Sequence, residues 1–575
     1  MSGKKRSENC KPCSNCFDRQ VFTAEHLHQS FNHSILYCHT PQVNQLTALL
    51  IAHGIHHVVV CPGSRNATIV HNLHEAGERF TLHPVTDERS AAFVALGLTL
   101  ATEQTVAVCV TSGSALLGCI PAVAEAFYRH LPLLVISADR PAPWIGQLDG
   151  QTLPQNGALQ PYCSTHNLVI PHTDEDRWFN NREINAALLS VADGGGGPAH
   201  INVPIAEPMF RFTTPELPQE RKITKLRPQA TRPLPPELVN TLAKAKLPAL
   251  IIGQYEAGDL RTEVDALNRN NQLLVLPELL SDVGGSERMN AFDTLCDPRF
   301  APDIVLQIGG HFIHKRFKQW LRQTDCQVIR VGYESLPDTF CHLTCQIEAP
   351  AKQVLAQLAD ELPKQHIAVR NTAEALDAEA AAMRQKLLGQ CLNEPVLTLQ
   401  GAVGHLAEAL RTCPQNYTLH LGNSSAVRAA QQVMPSGNVP VFCNRGVNGI
   451  EGSLSAAVGY ALGMWGLHIV VIGDLSFFYD ANALWNVELP AGLRILLLNN
   501  GHGAIFDHLP GLADSPARDA YIAAGGRVYS AKGVAQTFGI YYQDAHTSSE
   551  LNDALQGWWN EDAETAQLIE VFLAD

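Results

Sequence analysis

Asp474 and Asn500 stand where two apolar runs end. Ile469-Val470-Val471-Ile472 leads into Gly473-Asp474-Leu475-Ser476, and Ile495 to Leu498 leads into Asn499-Asn500. Short apolar runs of this kind read as strands buried in a parallel sheet. A carboxylate and an amide would then project from the carboxyl ends of two strands, where open α/β sheets bind ligands. Oxygen donors of this type suit Mg²⁺, which also takes phosphate oxygens and waters. Far upstream, Asp87-Glu88-Arg89 precedes the apolar, helix-like run Ala91 to Leu100. Each feature alone has an ordinary explanation. Gly-Asp after a strand is common, and acids are favoured at helix N-termini in any protein.

The elements that must position these groups follow from the rest of the chain. At 575 residues it should hold about three domains. Apolar residues make up 46% and charged residues 17%, enough for large cores and no sign of global disorder. A net charge of -15 excludes a general nucleic-acid binder. No apolar run approaches the roughly 20 residues of a membrane helix, and no signal-peptide segment is expected at the N-terminus. The 15 cysteines are odd in number and scattered through core-like segments such as Cys61, Cys109 and Cys119. Reduced thiols in a cytoplasm are therefore expected.

Residues 1–38 differ from the remainder. They are polar and carry Cys10, Cys13, Cys16, His26, His28, His33 and Cys38, a spacing compatible with zinc but short of a zinc-finger pattern, or with a disordered extension. Residues 39–225 alternate strand and helix, with strands at Val58–Cys61, Val106–Val110, Leu133–Ile136 and His200–Pro204. A Pro-rich stretch, 226–237, reads as a linker into a second unit extending to 392. Its strands are Ala249–Ile252, Leu273–Leu276, Ile304–Ile308 and Val328–Val331, and a helix-prone segment over Asn371–Gly389 leads out of it. Residues 393–575 form a third unit ending on Leu568–Val571. The expectation is an α/β chain of three parallel-sheet domains, each Rossmann-like.

Further motifs narrow the chemistry. The first unit carries Pro62-Gly63-Ser64-Arg65-Asn66, Thr111-Ser112-Gly113-Ser114 and Ala138-Asp139-Arg140-Pro141. The third carries Gly422-Asn423-Ser424-Ser425-Ala426-Val427-Arg428 and Asn444-Arg445-Gly446-Val447-Asn448-Gly449-Ile450-Glu451-Gly452. With the Gly-Asp and Glu88 segments, the chain resembles the thiamine diphosphate enzymes over about residues 42–575. Within them it resembles the 2-succinyl-5-enolpyruvyl-6-hydroxy-3-cyclohexene-1-carboxylate synthases (MenD) of menaquinone biosynthesis.

That resemblance implies pyrimidine-binding, central and diphosphate-binding domains in chain order. It implies thiamine diphosphate held through Mg²⁺ or Mn²⁺, with Asp474, Asn500 and the His502 carbonyl on the metal. Gly473, Leu475 and Ser476 would lie along the diphosphate, Ile450 would hold the cofactor's bend, and Glu88 would activate it. The reaction implied joins 2-oxoglutarate to isochorismate with loss of CO₂, by a Stetter-like 1,4-addition. Both substrates are dicarboxylates, and arginine's planar fork suits them. Ser64, Arg65, Arg140, Gln151, Lys315, Arg316, Ser424, Arg428 and Arg445 are the implied polar contacts, with Ile505, Phe506 and Leu509 an apolar wall. A cytoplasmic homodimer or tetramer is implied as well. Two positions depart from the family pattern: His502 in Asn499-Asn500-Gly501-His502-Gly503, and Gly150 beside Gln151. A flavin- or nucleotide-dependent oxidoreductase is disfavoured, because no G-x-G-x-x-G fingerprint follows a first strand.

Overall fold

A computed structural model of the chain describes residues 36–191, 196–226, 233–255, 260–281, 283, 287–333, 336–434, 439–486, 488–509, 511–525, 528–560 and 563–574. The cysteine- and histidine-bearing segment before residue 36 and part of the Pro-rich linker lie outside the described residues.

The expected strands form: two match to the residue, two are shifted by one residue, and the others are extended by one to three. The first sheet contains β1 (His57–Val60), β2 (Thr81–Pro84), β3 (Val106–Val110), β4 (Leu133–Asp139), β5 (Ser164–Asn167) and β6 (Ala199–Pro204). The central sheet contains β7 (Pro248–Ile252), β8 (Leu274–Pro277), β9 (Ile304–Ile308), β10 (Gln327–Val331) and β11 (Leu343–Ile347). The third contains β12 (Tyr417–Leu421), β13 (Val441–Cys443), β14 (Leu467–Gly473), β15 (Leu493–Asn499), β16 (Tyr541–Ala545) and β17 (Gln567–Phe572). All strand pairs in the three sheets are parallel. An antiparallel ribbon of Tyr37–Cys38 with Phe212–Thr214 lies apart from them. Strands such as β3, β7 and β9 are buried at every residue. Each sheet has an apolar cluster on either face, so near-continuous apolar strands are what burial demands.

The first sheet runs β2-β1-β3-β4-β6-β5, and the third runs β13-β12-β14-β15-β17-β16. The two orders are the same, a repeat of topology where the sequence shows no short repeat. In all three sheets the chain leaves its first strand in one direction and returns on the other side. This puts a topological switch point between β1 and β3, β7 and β9, and β12 and β14. Ligand crevices open at such points.

Seven helices matter for the site: α1 (Glu88–Thr102), α2 (Ile120–Arg129), α3 (Lys315–Leu321), α4 (Ile367–Asn393), α5 (Ser425–Val433), α6 (Ser453–Gly463) and α7 (Asp474–Tyr479). Asp87 caps α1 by accepting from Arg89 N–H at 2.9 Å and Ser90 N–H at 3.4 Å. Helix α1 of the first domain and α6 of the third cross in direct backbone contact. A Cβ on Gly97 would lie 2.0 Å from the Ala456 carbonyl oxygen, and one on Gly459 would lie 2.1 Å from that of Val94. Ser90 and Ser455 hydroxyls bond across the crossing at 2.8 Å. Asp480 secures the same place, accepting from Ser455 N–H and Oγ at 2.7 Å each. Among the described residues no helix is long and apolar enough to cross a membrane.

Candidate active site

Asp474 is the first residue of α7, directly after β14, and is buried. Its carboxylate accepts the Gly501 N–H at 3.0 Å, tying the end of β14 to the loop after β15. Burial pushes its pKa up, against the pull of backbone N–H groups around it. The paired asparagines divide their work. Asn499 is fully buried and donates to Glu570 at 2.7 Å and to the Tyr529 carbonyl at 2.6 Å, so it secures the strand end. Asn500 is half-buried, and its Nδ2 has no partner. The His502 carbonyl already accepts Ala504 N–H at 3.1 Å. The His502 ring bonds Asp507 at 2.7 Å and the Asn500 carbonyl at 3.1 Å. Burial disfavours the His502 imidazolium, but those partners outweigh it and its pKa stands above the ordinary value. The donor set of carboxylate, amide and carbonyl oxygens fits a hard dication, whose charge would relieve the desolvated Asp474. Among the described residues no cluster of three Cys, His, Asp or Glu suits a softer metal.

One loop joins this strand end to a group of cations. Ser476 on α7 donates through Oγ to the Ile450 carbonyl. Asn423, after β12, donates to the carbonyls of Asn444 and Gly449, the latter at 2.6 Å. Its Oδ1 accepts from Arg445 Nη1 at 3.3 Å. Arg428, one turn into α5, donates to the Ser424 carbonyl at 2.6 Å. Ser424 itself has φ +71°, a left-handed backbone that a non-glycine residue holds only when its surroundings enforce it. Arg445 is buried with its Nε unpartnered. Burial, and then the Arg445 charge, hold the Arg428 pKa below the usual guanidinium range. Ile450 and Leu509 are exposed, and Ile505 and Phe506 half-buried, so all four have free surface.

A second set lies on the first domain. Arg65, after β1, is buried; it donates to the Ile205 carbonyl at 2.9 Å and pairs with Glu207 at 3.3 Å. Burial first, then the neighbouring Arg140, lower its pKa. Arg140, after β4, donates to the Gly150 carbonyl at 2.9 Å and pairs with Asp149 at 3.1 Å. The substitution at Gly150 thus leaves a backbone contact that any residue could make. Gln151 is exposed with φ +53°, and its backbone lies 3.2 Å from where a Gly113 side chain would begin. Ser64 is exposed beside Arg65.

Glu88 opens α1 without a hydrogen-bond partner for its carboxylate among the described residues. Gly118 packs 3.1 Å from its Cβ, as measured to an ideal Cβ on the glycine. Residues flanking Glu88 reach the third domain: Asn482 donates to Asp87 at 2.6 Å, and Arg89 donates to the Tyr479 carbonyl at 2.6 Å. Tyr479 is the end of α7 opposite Asp474. Lys315 and Arg316 are exposed on the first turn of α3 and are not joined to the Arg65–Arg140 set within the chain.

Four residues escaped the sequence reading of the site. Glu125, buried in α2, accepts Gly446 N–H at 2.9 Å and Val447 N–H at 2.8 Å, clamping the Arg445 loop. Its neighbour Arg129 donates to Asn444 at 3.2 Å. The signal was a lone acid in an apolar helix, Ile120-Pro121-Ala122-Val123-Ala124-Glu125. Gln155, fully buried, holds Gly113 N–H at 2.7 Å while donating to Ser137, Ala138 and Asn202, and so supports the Gln151 loop. Lys318, on α3, donates to the Phe312 carbonyl at 3.3 Å and feels the charges of Arg445 and Arg428.

The comparisons with known proteins agree with this geometry. Residues 43–166 match the family model described as the N-terminal binding domain of thiamine pyrophosphate enzymes. A 2-succinyl-5-enolpyruvyl-6-hydroxy-3-cyclohexene-1-carboxylate synthase from Phocaeicola vulgatus is 40% identical over 553 residues, 93% of this chain and 96% of the relative. The synthase of the same name from Bacteroides thetaiotaomicron is 40% identical over the same shares. That from Flavobacterium johnsoniae is 34% identical over 91% of this chain and 94% of its own length. With strand ends that offer oxygen ligands, a loop of buried cations and full-length similarity all in one chain, the protein belongs to the 2-succinyl-5-enolpyruvyl-6-hydroxy-3-cyclohexene-1-carboxylate synthase family of thiamine diphosphate enzymes.

Proposed function

We propose that this chain condenses 2-oxoglutarate with isochorismate, with loss of CO₂, to form 2-succinyl-5-enolpyruvyl-6-hydroxy-3-cyclohexene-1-carboxylate for menaquinone synthesis. The observation that carries the reading is the Ser424–Arg428–Arg445 group. It gathers desolvated cations around a strained serine, linked through Ile450 and Ser476 to Asp474. A dicarboxylate is the ligand whose charge such a place lacks.

Asp474, Asn500 and the His502 carbonyl would hold Mg²⁺ or Mn²⁺, with Gly473, Leu475 and Ser476 along the diphosphate and Ile450 beneath the rings. Thiamine diphosphate would supply the carbanion chemistry and a sink for the charge released with CO₂. Glu88 moves the proton at the far side of the pyrimidine; its uncommitted carboxylate suits that task. Arg428, Arg445 and Ser424 bind and orient 2-oxoglutarate. Ser64, Arg65, Arg140, Gln151, Lys315 and Arg316 serve isochorismate, and Ile505, Phe506 and Leu509 exclude water from the joined carbons. The pyrimidine, central and diphosphate domains are assigned to residues 39–225, 226–392 and 393–575.

The working unit is a homodimer or a pair of dimers, in which Glu88 of one chain meets Asp474 of the other. Glu88's neighbours contact α7 at the end opposite Asp474, so a single chain offers the acid no route to its own metal loop along that contact. Exposed Phe127 and Tyr128, in ring contact with Tyr162, give the first domain an apolar face suited to a second copy.

The direct test mixes protein, Mg²⁺, thiamine diphosphate and 2-oxoglutarate and follows isochorismate consumption, omitting each component in turn. Consumption independent of 2-oxoglutarate or of the cofactor refutes the reaction. For assembly, Glu88→Gln and Asp474→Ala chains are mixed. Shared sites restore about a quarter of wild-type activity for random pairing. No recovery in proven mixed dimers refutes the shared site.

A further inference from the structure

The helix that carries Lys315 and Arg316 on its exposed first turn sends a third cation inward. Lys318 is half-buried, and its ammonium donates to the Phe312 carbonyl at 3.3 Å. The charges of Arg445, Arg322 and Arg428 act on it, and His311, four residues before Lys315, hydrogen-bonds the Gly446 backbone of the Arg445 loop. These groups come from the central domain and from the two third-domain segments, α5 and the 444–450 loop. The contact between the domains is built: Gln254, at the β7 end, donates to the Cys443 carbonyl at 2.8 Å, and Gln431 of α5 accepts the Leu279 N–H at 3.0 Å.

Glu278, the acid whose charge acts on Lys318, is already committed. Glu278 is fully buried and accepts Ile313 N–H at 2.8 Å, His314 N–H at 2.9 Å and the His314 ring at 2.7 Å. Among the described residues, Lys318, Arg428 and Arg445 form no ion pair with a carboxylate. Arg445 Nε has no hydrogen-bond partner among the described residues. Cations crowded together and partly desolvated are unfavourable until an anion joins them. Burial lowers the Lys318 pKa; Glu278 opposes this, and Arg445, Arg322 and Arg428 add to it.

We propose that Lys318 is a third cation of the acyl-donor pocket, binding the carboxylate remote from the keto group and setting the preference for 2-oxo diacids over 2-oxo monoacids. The assignment rests on the reaction proposed above, since it identifies the ligand of the Arg428–Arg445 group. An ammonium on a flexible stem suits the end of a chain whose other carboxylate leaves as CO₂. It is a point charge needing no fixed plane, whereas the guanidinium groups define the direction of approach.

The test uses the holoenzyme with thiamine diphosphate, Mg²⁺ and saturating isochorismate. Lys318→Met and Lys318→Arg are compared with wild type on 2-oxoglutarate and on 2-oxopentanoate, the monoacid of equal length, as KM or as an inhibition constant. Loss of one charge-assisted contact predicts a rise of about 10- to 100-fold in the 2-oxoglutarate KM of Lys318→Met, with kcat little changed. The 2-oxopentanoate constant should stay put or improve, and Lys318→Arg should recover part of the diacid preference. Thermal unfolding and thiamine diphosphate affinity serve as controls for the fold. An unchanged KM in Lys318→Met, or equal losses for diacid and monoacid, overturns the role of Lys318 while leaving the reaction standing. Wild type inert toward 2-oxoglutarate overturns both.

Discussion

Replacing Glu125 by Gln tests whether a residue of the first domain governs the substrate cations of the third. Glu125 and Arg129 are both buried, with 3.4 Å between their charged groups, and the carboxylate takes Gly446 and Val447 N–H at 2.9 and 2.8 Å. Glutamine keeps one carbonyl oxygen for one amide and presents an NH₂ to the other. One charge-assisted hydrogen bond is lost, worth about 1.5–3 kcal/mol. At about 1.4 kcal/mol per tenfold, the ordered loop loses roughly 10- to 100-fold in population. Arg445 sits on that loop, so kcat/KM for 2-oxoglutarate should fall toward the same factor. Glu125→Ala is harsher, leaving both amides unpaired and Arg129 without its acid, at about 3–5 kcal/mol. Steady-state kinetics, thermal unfolding and amide exchange of residues 444–449 form the assay. Wild-type kcat/KM in Glu125→Gln refutes the argument. So does a loss of activity matched by global destabilisation with no change in exchange at that loop.

Three further outcomes are expected. Asp474→Ala should abolish Mg²⁺-dependent thiamine diphosphate binding in calorimetry, and unchanged affinity in a folded variant removes the metal assignment. Glu88→Gln should keep the cofactor but slow exchange of its C2 proton by orders of magnitude, as read by NMR in deuterium oxide; wild-type exchange takes Glu88 out of the mechanism. The third concerns pH. Burial disfavours the His314 imidazolium, but the hydrogen bond to Glu278 and its charge outweigh this, so the folded pKa stands above the ordinary 6.5. Its stabilising contribution is full below the unfolded value and is lost as pH rises through the raised one. Thermal unfolding should therefore decline more steeply over that range in wild type than in His314→Gln, and parallel curves contradict the pairing.

Much of the architecture was legible because parallel strands covered on both faces must be apolar along their whole length. Ile304–Ile308 and Val106–Val110 could be bounded to the residue for that reason. The candidate site was legible where it follows such a strand, as at Asp474 and Arg65. Less could be read where function depends on which of two neighbours turns inward. Asn499 and Asn500 look alike in the chain, yet only the first is consumed by Glu570 and Tyr529. Lys315, Arg316 and Lys318 form one basic run, and the α3 turn alone decides that Lys318 is the half-buried one. Glu125 was illegible for another reason. Its partners, Gly446 and Val447, lie more than 300 positions away, and backbone amides leave no mark in side-chain pattern.

The crossing of α1 and α6 has a mechanical consequence. Side chains in contact can exchange rotamers and slide, but carbonyls resting on glycine α-carbons have no such slack. Gly97 and Gly459 make the contact reciprocal, each helix receiving the other's backbone. The outer domains of the chain are thus joined stiffly, with Glu88's helix riveted to the scaffold that carries Asp474. Breathing that admits substrate and releases product then falls to what lies outside this crossing: the turn carrying Ile505 and Phe506, and the central domain with α3.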